Sequence, residues 1–241
     1  METQTAERVQ AGKTAGPAAV VAYAGAAAFA IAGVWFWLAT KSVTVATAPR
    51  VGAGVPSQQA MRIYYRWLIT TLPQERYYMA IAIAAFLCLA TSAFFVRDLL
   101  GRDRAPARIG AGLAGAGSLL WIAGSIVELG GHRAVGLMAT HANPIQTTNS
   151  IAFTIDTISA AFALAAFALI GAGMLGFAMA ARRTAHRTWA RVTIAVALVT
   201  VVTAVSYAAG NGGFSDLMLF ISGAVLLPLW LIWTGRALTE A

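Results

Sequence analysis

Apolar residues in this chain fall into six long blocks, at 17–39, 77–96, 109–130, 151–180, 192–210 and 217–235, with shorter polar stretches between them. A helix of about 20 apolar residues crosses a bilayer core of about 30 Å. The pattern therefore predicts an all-α polytopic integral membrane protein, a six-transmembrane-helix bundle over 17–235. The 151–180 block is longer than one crossing needs, so it is expected to tilt or to protrude. Pro228 lies inside the sixth block and is expected to bend it, which neighbouring helices tolerate. Residues 1–16 and 236–241 read as tails on the cytoplasmic side, the first of them disordered.

The longest break, 40–76, carries a second kind of pattern. Pro49, Gly52, Gly54 and Pro56 mark a loop. From Ser57 to Leu72 the apolar residues Met61, Tyr64, Tyr65, Leu68 and Leu72 recur at helical spacing, with Arg62, Arg66 and Thr70 on another side. Ser57 suits an N-cap and Pro73 a stop. The expectation is one outer amphipathic helix over 57–72, lying at the membrane surface or capping the bundle. The first block is followed by Ala46-Thr47-Ala48, which has the form of a signal-peptide cleavage site. The apolar run ahead of it is longer than a normal signal core, so it is read as an uncleaved first span.

Composition fits this class. The chain is 59% hydrophobic and only 11% charged, where soluble domains carry about 25% charged residues. The net charge of +8 raises the question of nucleic acid. Its placement argues against that: Arg97, Arg102, Arg104, Arg108, Arg182, Arg183, Arg187 and Arg191 fill two connections between apolar blocks. Connections 131–150 and 211–216 together carry Arg133 alone of this type. By the positive-inside rule the arginine-rich connections and both termini are cytoplasmic, in a multi-pass protein of the cell membrane. Lys41, Arg50, Arg62, Arg66 and Arg76 on the opposite side run against the rule, which long loops obey less strictly. The partner implied is the lipid bilayer, not nucleic acid. The single Cys88, inside an apolar run, reads as a small buried hydrophobe.

Packing signals point to one segment. Gly110, Gly117, Gly124 and Gly131 recur every seven residues and share one stripe of the third span, the small-residue seam by which membrane helices approach closely. Trp121 and Glu128 flank that stripe, so Glu128 is expected to face a neighbouring helix. Asp156 lies in the fourth span, beside the small or polar Asn149, Ala152, Ser159, Ala160 and Ala163 at helical spacing. A carboxylate inside a membrane is costly and normally faces protein or water. Glu128 and Asp156 are thus expected to converge near the outer mouth of the bundle, with His132, Arg133 and Arg76 as candidate partners. Two readings stay open: a buried ion pair that holds helix register, and a ligand or ion vestibule involving Glu128, His132, Arg133, His141, Asn149 and Asp156.

Other chemistries find less footing. Glu128, His132 and His141 have the side-chain types of a metal set, but Gly130-Gly131 is expected to break the helix between the first two, and no His-Glu-x-x-His is present. The three histidines are not placed for a transmembrane haem, no Gly-x-Ser-x-Gly elbow occurs, and Asp156 is the one aspartate inside a span, short of the pair an intramembrane aspartyl protease needs. No motif names a cofactor. The leading reading is a non-enzymatic binding or interaction subunit, whose further partner is another membrane protein or a small ligand from the outer side. The alternatives are a small-solute or ion transporter using the outer vestibule, and a membrane metal-dependent enzyme built on Glu128, His132 and His141.

The orientation is testable directly. A cysteine introduced at Thr184 should react with a membrane-impermeant maleimide only from the cytoplasm, and one at Thr140 only from outside; the reverse labelling inverts the topology.

Overall fold

The structure is a computed structural model that describes residues 2–37, 57–140, 144–182, 184, 186–209 and 212–240. It is all-α, and among the described residues six helices are long and apolar enough to cross a membrane. In chain order the elements are α1 (Glu2–Trp35), α2 (Ser57–Leu100), α3 (Ala105–Thr140), α4 (Ile145–Ala181), α5 (Arg187–Ala208), α6 (Gly212–Phe220), a π-helical segment (Ile221–Leu226) and α7 (Leu227–Thr239). The last three together make the sixth span.

Each span packs on the next, α1 on α2, α2 on α3, α3 on α4 and α4 on α5, and the sixth span closes the circle by contacting both α5 and α1. The share of residues buried is nearly the same in every span, 39–44%. No span is much more buried than another, and the spans form a ring crossed by contacts from α2 to α4 and α7. Large apolar side chains such as Ile31, Leu87, Ile109, Leu119, Leu198 and Ile232 are exposed on its outside, as a hydrocarbon solvent requires. The two chain ends lie together: Ala18 and Ala19 of α1 cluster with Leu238 of α7 and with Phe95 and Leu99 of α2. That end is termed the near end, and the opposite one the far end.

The heptad glycines make the α3–α4 seam. A Cβ at Gly110 would lie 2.7 Å from the Gly173 carbonyl oxygen, at Gly117 2.6 Å from that of Ala166, at Gly124 2.8 Å from Cβ of Phe162, and at Gly131 2.6 Å from Cγ2 of Ile155. All four therefore face α4, as the stripe implied. Gly173 returns the contact, with the Ala114 amide nitrogen 2.7 Å from its own hypothetical Cβ. Ser159 Oγ adds a cross-helix hydrogen bond to the Gly124 carbonyl, 3.4 Å long.

The near half of the ring is solid. Phe167, Ile170, Met174, Phe177, Leu227, Trp230 and Leu231 are almost wholly buried there. Two tryptophan–threonine bonds stitch α5 to α7: Trp189 Nε1 donates to Thr234 Oγ1 at 3.2 Å, and Trp230 Nε1 to Thr193 Oγ1 at 3.0 Å. Thr193 Oγ1 donates in turn to the Trp189 carbonyl. Such hydroxyls satisfy donors that find no water in hydrocarbon. At the near surface Arg104 Nη1 donates to the Ala180 carbonyl at 3.2 Å, placing a cation on the C-terminal end of α4.

Several expected boundaries are corrected. The amphipathic stretch 57–72 is helical and begins at Ser57, but it does not stop at Pro73. It continues into the second span as one 44-residue helix, about 66 Å long at 1.5 Å per residue. The loop 40–56 and the loop residue His141 lie outside the described residues. Gly130-Gly131 does not break α3, which runs on to Thr140, and α4 starts at Ile145 rather than 151. The reason is tertiary: Gly131 sits against Ile155, while Val135 and Ala139 are buried with Tyr65 and Ile145 in a far-end cluster of α2, α3 and α4. A helical glycine costs about 1 kcal/mol, less than burial of such a cluster contributes. Residues 2–16 are also helical rather than a disordered tail; they are rich in Ala, Glu, Gln, Arg and Lys, good helix formers that propagate from an existing helix without a new nucleus. At the other end α7 extends to Thr239, where Arg236 pairs with Glu240 at 2.8 Å. Pro228 is accommodated by the π-helical turn just before it, where the regular ladder is already interrupted.

The seam yields a contrast within one helix. Gly117→Ala should destabilise the bundle by about 1–3 kcal/mol, because a backbone carbonyl opposes the new methyl. Gly112→Ala, where a Cβ meets nothing within 4 Å, should be neutral or slightly stabilising. Thermal unfolding in detergent measures both, and equal effects would refute the seam.

Candidate functional site

The far half of the ring is hollow. A cavity of about 840 Å³ occupies it, and all six spans contribute to its wall. The lining follows from helical spacing. On α4 the residues Asp156, Ser159, Ala160, Ala163 and Phe167 fall at i, i+3, i+4, i+7 and i+11, one face of the helix. On α3, Trp121, Gly124, Ser125 and Glu128 do the same, beside the glycine seam that binds α3 to α4. Phe29 comes from α1 and Phe36 from just past its end, Tyr78 and Phe86 from α2, and Tyr207 from the last turn of α5. The sixth span supplies Asp216, Leu219, Phe220, Gly223 and Ala224, the last two from the π-helical segment.

Three carboxylates thus line one cavity from three helices, and the described lining contains no lysine or arginine. Their depth is set by their turn. Asp156 lies 11 residues from Phe167 along α4, about 16 Å at 1.5 Å per residue, and Glu128 seven residues from Trp121, about 10 Å. The carboxylates therefore stand toward the mouth and the rings toward the middle of the membrane. The rings form a continuous floor. Phe86 stacks on Trp121 at 4.1 Å between centroids and meets Phe29 edge-on at 4.9 Å. Phe167 stands edge-on to Phe86 at 6.4 Å and parallel to Tyr207 at 6.3 Å. Farther out, Phe36 packs on Tyr78 and Trp37 on Phe220, tying the end of α1 to α2 and α6.

The residues singled out from sequence fare differently. Glu128 and Asp156 both line the cavity. His132 stands beside them: because α3 continues through the glycine pair, His132 is one turn beyond Glu128, and its Nε2 lies 3.4 Å from Asp156 Oδ1. The imidazole is 19% exposed and the carboxylate 64%, so this is not a buried ion pair. Arg133 is exposed and does not line the cavity. Asn149, two turns before Asp156 on α4, also stays outside it; its Oδ1 is buried and makes no hydrogen bond. His141 lies outside the described residues. Among the described residues, no three His, Cys, Asp or Glu side chains come together as a metal would require.

Sequence reasoning missed Asp216 and Tyr207. Asp216 reads as a loop residue ahead of the sixth block, yet the helix already begins at Gly212. The signal was present: Asp216 and Phe220 stand at i and i+4, so a helix started five residues earlier, at Gly212, puts the carboxylate on the same face as the ring. Tyr207 carries no local signal of its role, since its position depends on where α5 ends.

Set against protein-family models, curated proteins and solved structures, the chain matches none of them. The site has to be read from its own geometry.

Exposure of the carboxylate makes the Asp156–His132 pair cheap to break. Asp156→Asn should shift stability by less than about 1 kcal/mol, the range of exposed ion pairs, instead of the roughly 3–5 kcal/mol lost when a buried pair is broken. Thermal unfolding of the purified variant decides, and a loss in the larger range would mean that the carboxylate is a structural lock.

Proposed function

We propose that this chain is a membrane-embedded binding protein that admits a small ligand into the far-end cavity, and that the far end faces the outside of the cell membrane with both termini cytoplasmic. The observation that carries the reading is the cavity itself. Its volume falls within the range of about 300–1,000 Å³ typical of small-molecule sites, and a mostly apolar wall with a few placed polar groups is their usual make-up. Outward orientation is supported by the arginine-rich near-end connections.

Transport is the second reading, and one observation favours it. The cavity wall includes the π-helical segment Ile221–Leu226, followed by Pro228. Interrupted helices near the membrane midplane are where transporters place their sites and their moving parts. The solid near half, with Phe177 and Trp230 stacked across it, would then be the closed gate.

A side chain grafted at Gly223 tests both. Gly223 lines the cavity, and a Cβ there meets nothing within 4 Å, so Gly223→Phe should obstruct the space. In a thermal-shift screen of amines, amino acids, sugars, carboxylates and nucleosides, a true ligand at 100 times its Kd adds about 2.7 kcal/mol of stability. That gain should vanish in Gly223→Phe. Stabilisation that survives the substitution, or a screen with no stabilising compound, would remove the cavity from consideration. The same ligand should enter proteoliposomes if the protein transports it and remain outside if it only binds.

A further inference from the structure

We propose that the far-end cavity selects organic cations: the positive group is drawn to the carboxylates Glu128, Asp156 and Asp216 at the mouth, and an apolar body lies against Trp121, the partly exposed ring of the aromatic floor. The proposal rests on the reading of this cavity as a ligand site and names the class of ligand.

Four properties of the lining converge on this class. The space is too large for an inorganic ion and suits a molecule of drug-like size. Its deep part is aromatic, and the partly exposed Trp121 ring there attracts cations with diffuse charge, ammonium and phosphonium groups among them. The lining carries three carboxylates and, among the described residues, no lysine or arginine, so the wall itself disfavours an anion. A bare metal ion is disfavoured on geometry: hard cations need about six oxygens at close range, and among the described residues no three metal-ligating side chains converge. A neutral apolar molecule would fit the floor but would gain nothing from the carboxylates, whose placement inside a membrane protein is costly. An amphipathic cation uses both halves of the cavity, with a separation of about 10 Å between charge and ring given by the helix rise from Trp121 to Glu128.

The probes are tetraphenylphosphonium and the smaller benzyltrimethylammonium as cations, tetraphenylborate as the anion of the same shape as the first, and triphenylphosphine oxide as a neutral analogue. Each is measured by equilibrium dialysis against the full-length protein in a non-ionic detergent, with empty micelles subtracted. At least one cation should bind saturably, with one site per chain, and tetraphenylborate should not. Glu128→Gln combined with Asp216→Asn should weaken cation binding about tenfold or more, the equivalent of about 1.4 kcal/mol or more, and leave any neutral-probe binding unchanged. Gly223→Phe should abolish binding of every probe. If the double variant does not fold, the single variants and Asp156→Asn carry the comparison. Equal affinity for all charges, or cation affinity unaffected by loss of the carboxylates, overturns the cation assignment while the cavity reading stands, provided Gly223→Phe still blocks. Failure of both cations to bind overturns the cation assignment as well. Binding that persists in Gly223→Phe overturns the cavity reading itself.

Discussion

Backbone contact between α3 and α4 is the constraint on which the far end depends. Four glycines spaced by seven residues let the two helices approach closely, Gly110 and Gly117 against backbone carbonyls and Gly124 and Gly131 against the side chains of Phe162 and Ile155, which is how helices adhere in a solvent as apolar as their own side chains. The seam also sets rotation. With the glycines turned to α4, Trp121 and Glu128 are turned to the centre of the ring, and on α4 the same rotation brings Asp156, Ser159 and Ala163 there. His132 reaches Asp156 for the same reason. A helix pair held by longer side chains would have more freedom to roll and would not hold two carboxylates on one wall.

The ring divides into halves with opposite character. Toward the near end, large side chains fill the centre, and the donors among them are satisfied by threonines or backbone carbonyls. Toward the far end the small residues Ala32, Gly33, Ala82, Gly124 and Ala163 line the wall and leave a space that the aromatic rings floor but do not fill. Hydroxyls on the spans mostly bond back to the carbonyl one turn earlier, as Ser118, Ser125, Thr193 and Thr200 do. They therefore make no demand on the cavity, whose polar character comes from its carboxylates. The sixth span is the least regular part of the wall. Its π-helical turn places Gly223 and Ala224 on the cavity and is tied to α5 through Ser222 and Thr203.

Much of the architecture was legible in the chain. Six apolar blocks of spanning length could become only helices, because an unpaired backbone amide has no partner in hydrocarbon. The glycine period named the face of α3 that packs, and the small and polar neighbours of Asp156 named the face of α4 that lines the cavity. Where local signals failed, they failed in one direction. Pro73, the pair Gly130-Gly131 and the polar run 2–16 all read as ends of helices, and the helices run through them. A breaker's cost is local and about 1 kcal/mol for a glycine or 3 for a proline, whereas the packing of Tyr65, Val135, Ala139 and Ile145 that favours continuation joins three segments far apart in sequence.

The cavity was not legible at all. Its wall is assembled from six helices, and its volume is the difference between the ring's diameter and the side chains that enter it, a quantity no single segment encodes. Asp216 and Tyr207 became site residues only when the sixth span closed the ring against α1 and α5. By itself, then, the sequence determined the class, the number of spans and the faces of α3 and α4, since these follow from hydrophobic length and helical period. Tertiary structure alone decided which polar groups share a space, because proximity among them is a property of the ring's closure and not of any one helix.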